Sequence, residues 1–125
     1  MTPHPTTIKL RQKSHVLVIA FDDGADFELG CELLRVYSPS ADVRGHGPGQ
    51  EVLQVGKENV NISAIEPVGN YAIRLVFDDG HSTGIYAWDY LYDLGRNRDD
   101  YWRKYLAALQ AAGHKRRAGA ADGQG

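Results

Sequence analysis

Cysteine is almost absent from this sequence, with Cys31 as the only one in 125 residues. One thiol cannot form an internal disulfide or a multi-thiolate metal site, and such scarcity is typical of a reducing compartment. Cys31 lies within an apolar helical pattern, where a thiol is normally buried and inert. The composition therefore excludes a disulfide scaffold and an iron–sulfur cluster held by four cysteines of this chain.

Long apolar runs and a strong charge excess are also missing. No segment approaches the roughly 20 apolar residues that cross a bilayer, and the stretch from Met1 to Pro5 lacks the basic and apolar parts of a signal peptide. Lysine and arginine total 14 against 16 acidic residues, a balance that provides no basic surface for nucleic acid. We expect a cytoplasmic protein with neither a membrane nor a nucleic-acid partner.

What is present is a globular composition, with 42% hydrophobic and 24% charged residues. Alternating apolar residues predict strands, and apolar residues at helical spacing predict helices. The predicted strands lie near residues 8–10, 16–21, 27–29, 52–55, 60–65 and 71–77, and the helices near 29–37, 88–92 and 98–112. These patterns predict an α+β fold, an antiparallel sheet built from hairpins with two or three helices packed on it. We expect one domain over residues 8–112, with disordered ends at 1–7 and 113–125.

One tetrapeptide occurs twice, as Phe21–Gly24 and again 56 residues later as Phe77–Gly80. Each copy follows an apolar strand and precedes a pattern of aromatic residues and leucines at helical spacing. Asp-Asp-Gly suits a tight turn, because aspartate caps its own backbone and glycine takes positive φ. The repetition has two explanations, an internal duplication or two hairpins that need the same turn.

Candidate functional residues are scattered. No two histidines have a metal-ligand spacing such as HxH or HxxxH, and no Gly-x-Ser-x-Gly motif is present, so we expect no enzyme. His81 follows the turn at Asp79, and glycines around Arg44 and His46 could let backbone N–H groups cradle an anion, although a solvated turn and a plain flexible loop explain the same residues. Aromatic residues near position 88 could stack on a ligand or belong to the core. The candidate binding surface comprises Arg44, His46, Asp79, His81, Tyr86 and Trp88.

Five motifs together resemble a known family. They are Leu34-Arg35, the segment from Tyr37 to Ala41, Glu66 to Tyr71, Phe77 to His81, and Gly84 to Leu91. In this order they resemble the gamma-butyrobetaine hydroxylase-like N-terminal domain, in the short bacterial form that stands alone and has no assigned function. The resemblance covers residues 7–112 and implies the α+β fold.

The resemblance also implies a metal site that this sequence does not match. In the full-length hydroxylases the domain precedes an oxygenase domain and holds zinc through three cysteines and a histidine. The corresponding positions here are Ser38, Ser40, Val43 and His81. Serine hydroxyls are poor zinc ligands and valine has no donor atom, so we predict no zinc and no other cofactor.

The resemblance implies a non-catalytic accessory or protein-interaction domain, because the oxygenase part has no counterpart in this sequence. We expect a protein partner, and a homodimer is one alternative. A related domain is fused to ATPases that carry iron–sulfur clusters, which makes an accessory factor in iron or iron–sulfur metabolism a second hypothesis. A small-ligand binder that uses the loop at Arg44 together with His81 is a third.

Overall fold

The computed structural model describes residues 3–45 and 51–116 of the chain. Its elements, in chain order, are β1 (Pro5–Arg11), β2 (Val16–Phe21), β3 (Asp26–Gly30), α1 (Cys31–Val36), α2 (Ala41–Arg44), β4 (Ile62–Val68), β5 (Ala72–Phe77), β6 (Ile85–Ala87), α3 (Trp88–Arg96) and α4 (Arg98–Ala111). No helix within these residues is long and apolar enough to span a membrane.

The strands form two antiparallel sheets of three strands each, in the orders β1-β2-β3 and β4-β5-β6. The α+β class predicted from sequence is confirmed. The prediction of a single sheet is wrong, because no strand of β1-β2-β3 pairs with a strand of β4-β5-β6. The described residues also contain four helices rather than two or three, and the additional helix is the single turn α2.

The strand predicted near residues 52–55 is wrong. Val52 and Val55 are exposed, and none of the strands within residues 3–45 and 51–116 pairs with the segment. Its backbone is held by a hydrogen bond from the N–H of Val52 to the carbonyl of Val43 (2.8 Å). Leu53 packs instead on the cluster of Val36, Tyr105 and Leu109, which shows that alternation can also arise where a loop lies over a helix.

The ordered strands begin earlier than the predicted boundary at residue 8. Pro5 pairs with Phe21 and Thr7 with Ala20 in the β1–β2 ladder. At the other end the structure describes the first four residues of the predicted tail. Arg116 among them forms an ion pair with Glu32, with Nη2 2.6 Å from Oε1. Residues 117–125 lie outside the described part.

One continuous core joins both sheets to α1 and α3. Its fully buried members include Leu17, Ile19, Leu29, Leu34, Ile62, Leu75, Leu91 and Leu94. In β2 they alternate with half-buried residues, as a strand with one face on the core requires. Each such side chain contributes roughly 1.5–3 kcal/mol by leaving water. Burial therefore fixes the register of the strands.

Two residues, Gly95 and Asn97, shape the junction between α3 and α4. Gly95 does not end α3, which continues to Arg96. Its role is close packing, because a Cβ there would overlap the ring of Phe27. Asn97 does not cap α4 with its side chain; its amide donates instead to the carbonyl oxygen of Asp93 (3.2 Å). α3 and α4 therefore follow each other with one residue between them.

Candidate functional site

Ser38 and His81 meet in the interior of the domain although 43 residues separate them in sequence. Ser38 follows the last turn of α1, and His81 follows the turn after β5. The serine Oγ lies 2.8 Å from Nε2 of the imidazole, and the residues are 1% and 9% exposed. Burial lowers the pKa of His81, and the nearby Arg35 guanidinium lowers it further. The imidazole is therefore held neutral, as a hydrogen-bond partner of the hydroxyl.

Ser40 organises the start of α2. Its hydroxyl accepts from the backbone N–H of Asp42 (3.2 Å), which caps the helix. The same hydroxyl is 2.6 Å from Oγ1 of Thr83, and that threonine donates to the Asp42 carboxylate (3.3 Å). A chain of hydrogen bonds thus links α2 to the segment between β5 and β6.

Asp79 lies beside His81 and binds two cationic side chains. Its Oδ2 accepts from Nε of Arg35 (2.9 Å) and from Nζ of Lys57 (2.7 Å), while Oδ1 accepts from the backbone N–H of His81 (3.2 Å). Burial alone would raise the pKa of Asp79, but the hydrogen bonds from Lys57, His81 and Arg35 lower it to about 2. The carboxylate is therefore ionised, and its oxygens are engaged by groups other than the imidazole.

The positions that match the family zinc ligands do not form a zinc site. Ser38 is hydrogen-bonded to His81, Ser40 is hydrogen-bonded to Thr83, and Val43 is a buried apolar side chain. Zinc in a structural site takes thiolate, imidazole or carboxylate donors, and the imidazole of His81 is the only such donor among the four. Across residues 3–45 and 51–116, no three histidine, cysteine, aspartate or glutamate side chains are grouped to hold a metal. The hydroxyl of Ser38 and the imidazole of His81 instead hydrogen-bond to each other.

A cleft of about 740 Å³ opens beside Ser38, between the end of α1, α2, residues 51–54 and α4. Its walls include the rings of Tyr37, Tyr90, Tyr101 and Tyr105. Three of their hydroxyls brace the walls by donating to backbone carbonyls. These are Tyr37 to Tyr101 (2.8 Å), Tyr90 to Tyr37 (2.6 Å) and Tyr105 to Gln54 (2.7 Å). Four tyrosines therefore line the cleft, and hydrogen bonds hold three of them to backbone carbonyls around it.

Two cationic side chains, Arg44 and Lys104, lie along the cleft. The guanidinium carbon of Arg44 is 4.9 Å from the centre of the Tyr90 ring, within the range of a cation–π contact. Both residues are exposed. The only acidic residue along the cleft among the described residues is Glu51, so the described rim carries a net positive charge.

The residues predicted from sequence as one binding surface are not brought together as such a surface. Arg44 lies on the cleft, whereas Asp79 and His81 lie in the hydrogen-bonded network behind it. Tyr86 is fully buried, and its hydroxyl donates to the carbonyl of Leu34 (2.5 Å). That side chain is a core residue, so its place on a binding surface is wrong.

Trp88 and His46 complete that set. Trp88 begins α3, is half-buried, and donates from Nε1 to the carbonyl of Asn70 (2.9 Å). It is not among the residues that line the cleft. His46 lies outside the described residues.

The cleft was missed because its residues come from distant segments. Tyr101 and Tyr105 are four residues apart on α4 and so share one face, but this spacing equally describes a core-facing stripe. Lys104 stands next to that stripe. Local sequence therefore shows an amphipathic helix, and only the packing against α1 reveals that its tyrosines border a cleft.

The comparisons with known proteins agree on a family. The family model described as "Gamma-butyrobetaine hydroxylase-like, N-terminal" matches residues 8–92. No curated protein matches the chain.

Three solved structures are similar over most of their length. One protein with an NMR solution structure is 59% identical, with a TM-score of 0.81 over 94% of this chain and 87% of that one. A second NMR structure is 45% identical, with a TM-score of 0.80 over 93% and 91%. A crystal structure of a DUF971-family protein of unknown function from Acidithiobacillus ferrooxidans is 37% identical, with a TM-score of 0.62 over 74% and 92%.

Proposed function

The chain belongs to the gamma-butyrobetaine hydroxylase-like N-terminal family, and on this premise we propose that it is a non-catalytic accessory domain that binds a partner protein in the cleft beside Ser38. A cytoplasmic location is part of the proposal. The single free cysteine, Cys31, supports it.

The observation that carries the proposal is the chemistry of the cleft. Tyrosine rings offer large contact area at low entropic cost, and tyrosine and arginine are enriched at the energetic centres of protein interfaces. Here four tyrosines line one cleft with Arg44 and Lys104 along it. This combination fits a partner segment that inserts an apolar or aromatic side chain next to an acidic one.

The Ser38–His81 pair supports a non-catalytic role. A serine nucleophile needs an imidazole base that a third group orients, and it must reach the substrate. Ser38 is 1% exposed. The carboxylate of Asp79, two residues before His81, is engaged by Arg35, Lys57 and the backbone N–H of His81. The pair therefore lacks the exposed serine and the carboxylate-oriented imidazole of a catalytic serine–histidine pair.

A charge reversal along the cleft tests the proposal. The double variant R44E/K104E should capture at least about tenfold less of the partner that wild type enriches from native lysate, since rim charge reversal opposes an acidic segment. The matched control is Arg103→Glu, which changes an exposed arginine of the same helix that pairs with Asp100 outside the cleft.

Quantitative mass spectrometry would identify and compare the captured proteins, and circular dichroism would verify that each variant is folded. A partner retained by R103E and lost by R44E/K104E supports binding in the cleft. Equal capture by all three proteins, or no reproducible partner, contradicts the proposal. Sedimentation of wild type at several concentrations would reveal whether the partner is a second copy of this chain.

The cleft volume favours one alternative, a small-ligand binder, because ligand sites commonly occupy about 300–1,000 Å³. A thermal-shift screen with aromatic carboxylates separates the two functions. A ligand at 100 times its Kd would stabilise the fold by about 2.7 kcal/mol. The hypothesis of an iron or iron–sulfur accessory factor stays a prediction, which anaerobic reconstitution followed by visible absorption would test.

A further inference from the structure

We infer that the domain consists of two copies of one β-β-turn-β-α unit, and that the Ser38–His81 pair occupies in one half of the domain the place that an aromatic ring occupies in the other. The first copy is β1-β2-β3-α1 and the second is β4-β5-β6-α3. Because the fold is built once without such a pair, the pair serves the cleft rather than folding. This last step rests on the proposed function.

The first two strands of each copy share one irregularity of their ladder. The β1–β2 ladder skips one residue at Thr6, and the β4–β5 ladder skips one at Ser63, which is 57 positions later. At both irregularities the side-chain hydroxyl donates to the partner strand, from Thr6 to the carbonyl of Ala20 (3.4 Å) and from Ser63 to that of Val76 (3.1 Å). An irregularity repeated with its hydrogen bond is not required by a hairpin in general.

The two turns have the same backbone geometry. Gly24 has a φ of 91° and Gly80 a φ of 92°. Their N–H groups donate to the carbonyls of Phe21 and Phe77, each at 3.1 Å. The repeated tetrapeptide therefore forms the same turn in both copies.

The first aspartate of each turn binds the residue that precedes the first strand of its copy. Asp22 accepts from the N–H of His4 (3.2 Å) and donates its own N–H to the carbonyl of His4 (2.8 Å). Asp78 makes the same two bonds with Asn61, at 3.0 and 2.9 Å. Two polar contacts thus recur in both copies, with an offset of 57 positions for the residue before the strand and 56 for the aspartate of the turn.

The second aspartate of each turn binds the helix of the other copy. Asp23 accepts from the hydroxyl of Tyr92 on α3 (2.5 Å), and Asp79 accepts from Nε of Arg35 on α1 (2.9 Å). Tyr92 and Arg35 are themselves equivalent positions, 57 residues apart. This reciprocal exchange is the contact pattern of an approximate two-fold axis, in which each half presents the same patch to the other.

The copies differ at the contact that the third strand segment of one copy makes with the helix segment of the other. In one such contact Phe27 of β3 covers Gly95 of α3, where a Cβ would overlap the phenyl ring. In the equivalent contact Gly84 lies against Ser38, and a Cβ on that glycine would overlap the serine Oγ. A large residue in the first contact is thus replaced by a small one in the second.

The imidazole of His81 takes the position of the missing ring. Its centre lies 6.1 Å from that of Phe77, and the centre of Phe27 lies 6.0 Å from that of Phe21. In the first copy the residue equivalent to His81 is Ala25. Ring packing is therefore preserved in both copies, but only the second carries a ring that hydrogen-bonds.

A buried polar pair costs desolvation that an apolar ring does not. The contact built on Phe27 shows that the fold accepts the apolar solution at an equivalent position. The polar solution is found where Ser38 borders the cleft. We therefore assign to both residues a positioning role: their hydrogen bond (2.8 Å) holds the wall of the cleft that Ser38 borders, and the buried hydroxyl itself does not touch the partner.

The equivalence of the copies is tested by giving the second copy the residues of the first. Ser38→Gly with His81→Ala should lower the Tm, since both changes leave space. Adding Gly84→Phe should then raise the Tm by at least about 4 °C, because the phenyl ring fills that space. In the wild-type background Gly84→Phe should lower the Tm. An added phenylalanine that lowers the Tm in both backgrounds would show that the two contacts are not equivalent.

A gentler variant keeps the inference testable if the triple variant does not fold. S38A/H81F keeps a ring in place and removes both members of the Ser38–His81 hydrogen bond, which is close to neutral for stability. The N–H of Ser40, which donates to the serine Oγ (3.3 Å), loses that long hydrogen bond, so a small cost remains. Its Tm should lie within about 4 °C of wild type, and a larger loss would show that the fold needs the pair.

The same variant tests the role in binding. S38A/H81F should lose at least tenfold of the partner protein whose capture by wild type depends on Arg44 and Lys104. Unchanged capture by this folded variant would overturn the assignment of Ser38 and His81 to the cleft. A wild-type domain without any cleft-dependent partner refutes the proposed function and with it that assignment, whereas the Tm comparisons still decide the equivalence of the copies.

Discussion

The ion pair between Arg35 and Asp79 provides the sharpest prediction on stability. The Arg35 side chain is 9% exposed and that of Asp79 is 24% exposed. Lys57 also forms an ion pair with Asp79, with Nζ 2.7 Å from Oδ2. Asp79→Asn keeps the shape of the side chain and removes its charge, which leaves a largely buried guanidinium without its carboxylate.

The expected cost follows from that burial. Removing one partner of a buried ion pair costs about 3–5 kcal/mol. Arg35 retains a hydrogen bond to Gln54 (3.0 Å), and water reaches the Asp79 side chain, so screening reduces the effect. We expect the free energy of unfolding to fall by roughly 2 kcal/mol at pH 7.

The loss should also depend on pH in one direction. The pKa of Asp79 is about 2 in the folded protein and about 3.9 in an unfolded chain. A lowered folded pKa contributes stability that is fully present above the unfolded value and is lost as the pH falls through the folded value. The difference between wild type and D79N should therefore shrink between about pH 4 and pH 2.

Urea denaturation followed by the fluorescence of Trp88 and Trp102 would measure both effects. Asp26→Asn is the matched control, because Asp26 is exposed on β3, and its stability should equal that of wild type within about 0.5 kcal/mol. Equal stability of D79N and wild type at pH 7, or a difference that does not narrow at low pH, would refute the reasoning.

Three further predictions concern packing, reactivity and metal content. Gly84→Ala should lower the Tm because the added methyl group overlaps Ser38, whereas Gly30→Ala, which meets nothing within 4 Å, should have a small effect by thermal denaturation. Burial raises the pKa of the Cys31 thiol to about 11, so its alkylation by iodoacetamide at pH 8 should be slow in the folded protein and fast in urea; similar rates would contradict its burial. Protein purified without an affinity tag should contain no stoichiometric zinc by atomic emission, and one zinc per chain would show that the ligand positions are misassigned.

Local patterns were sufficient to predict most of the strands and the long helices. The alternation of Leu17, Ile19 and Phe21 identifies β2 because every second residue of the strand faces the core. The division into two sheets was not predictable in this way. Pairing between strands of different hairpins depends on long-range contacts, and no local periodicity encodes those contacts.

The site was harder to predict than the fold. His81 was found because it follows a recognisable turn, and Ser38 because it matches a ligand position of a known family. Their hydrogen bond spans 43 residues, and the tyrosines of the cleft come from three separate segments. Spacing rules describe neighbours on one element, so they cannot show which elements meet.

The internal repeat supplies the information that spacing lacks. Aligning the two copies at an offset of 57 places Phe27 opposite Gly84 and Ser38 opposite Gly95. In the contact between Phe27 and Gly95 the larger residue belongs to the strand, whereas in the equivalent contact between Gly84 and Ser38 the larger residue follows the helix. A pair of changes that compensate each other keeps the packing and alters only the chemistry. The half of the domain in which a hydroxyl and an imidazole replaced a phenyl ring is the half that borders the cleft, and on that ground the binding site is expected there rather than at the equivalent position near Gly95.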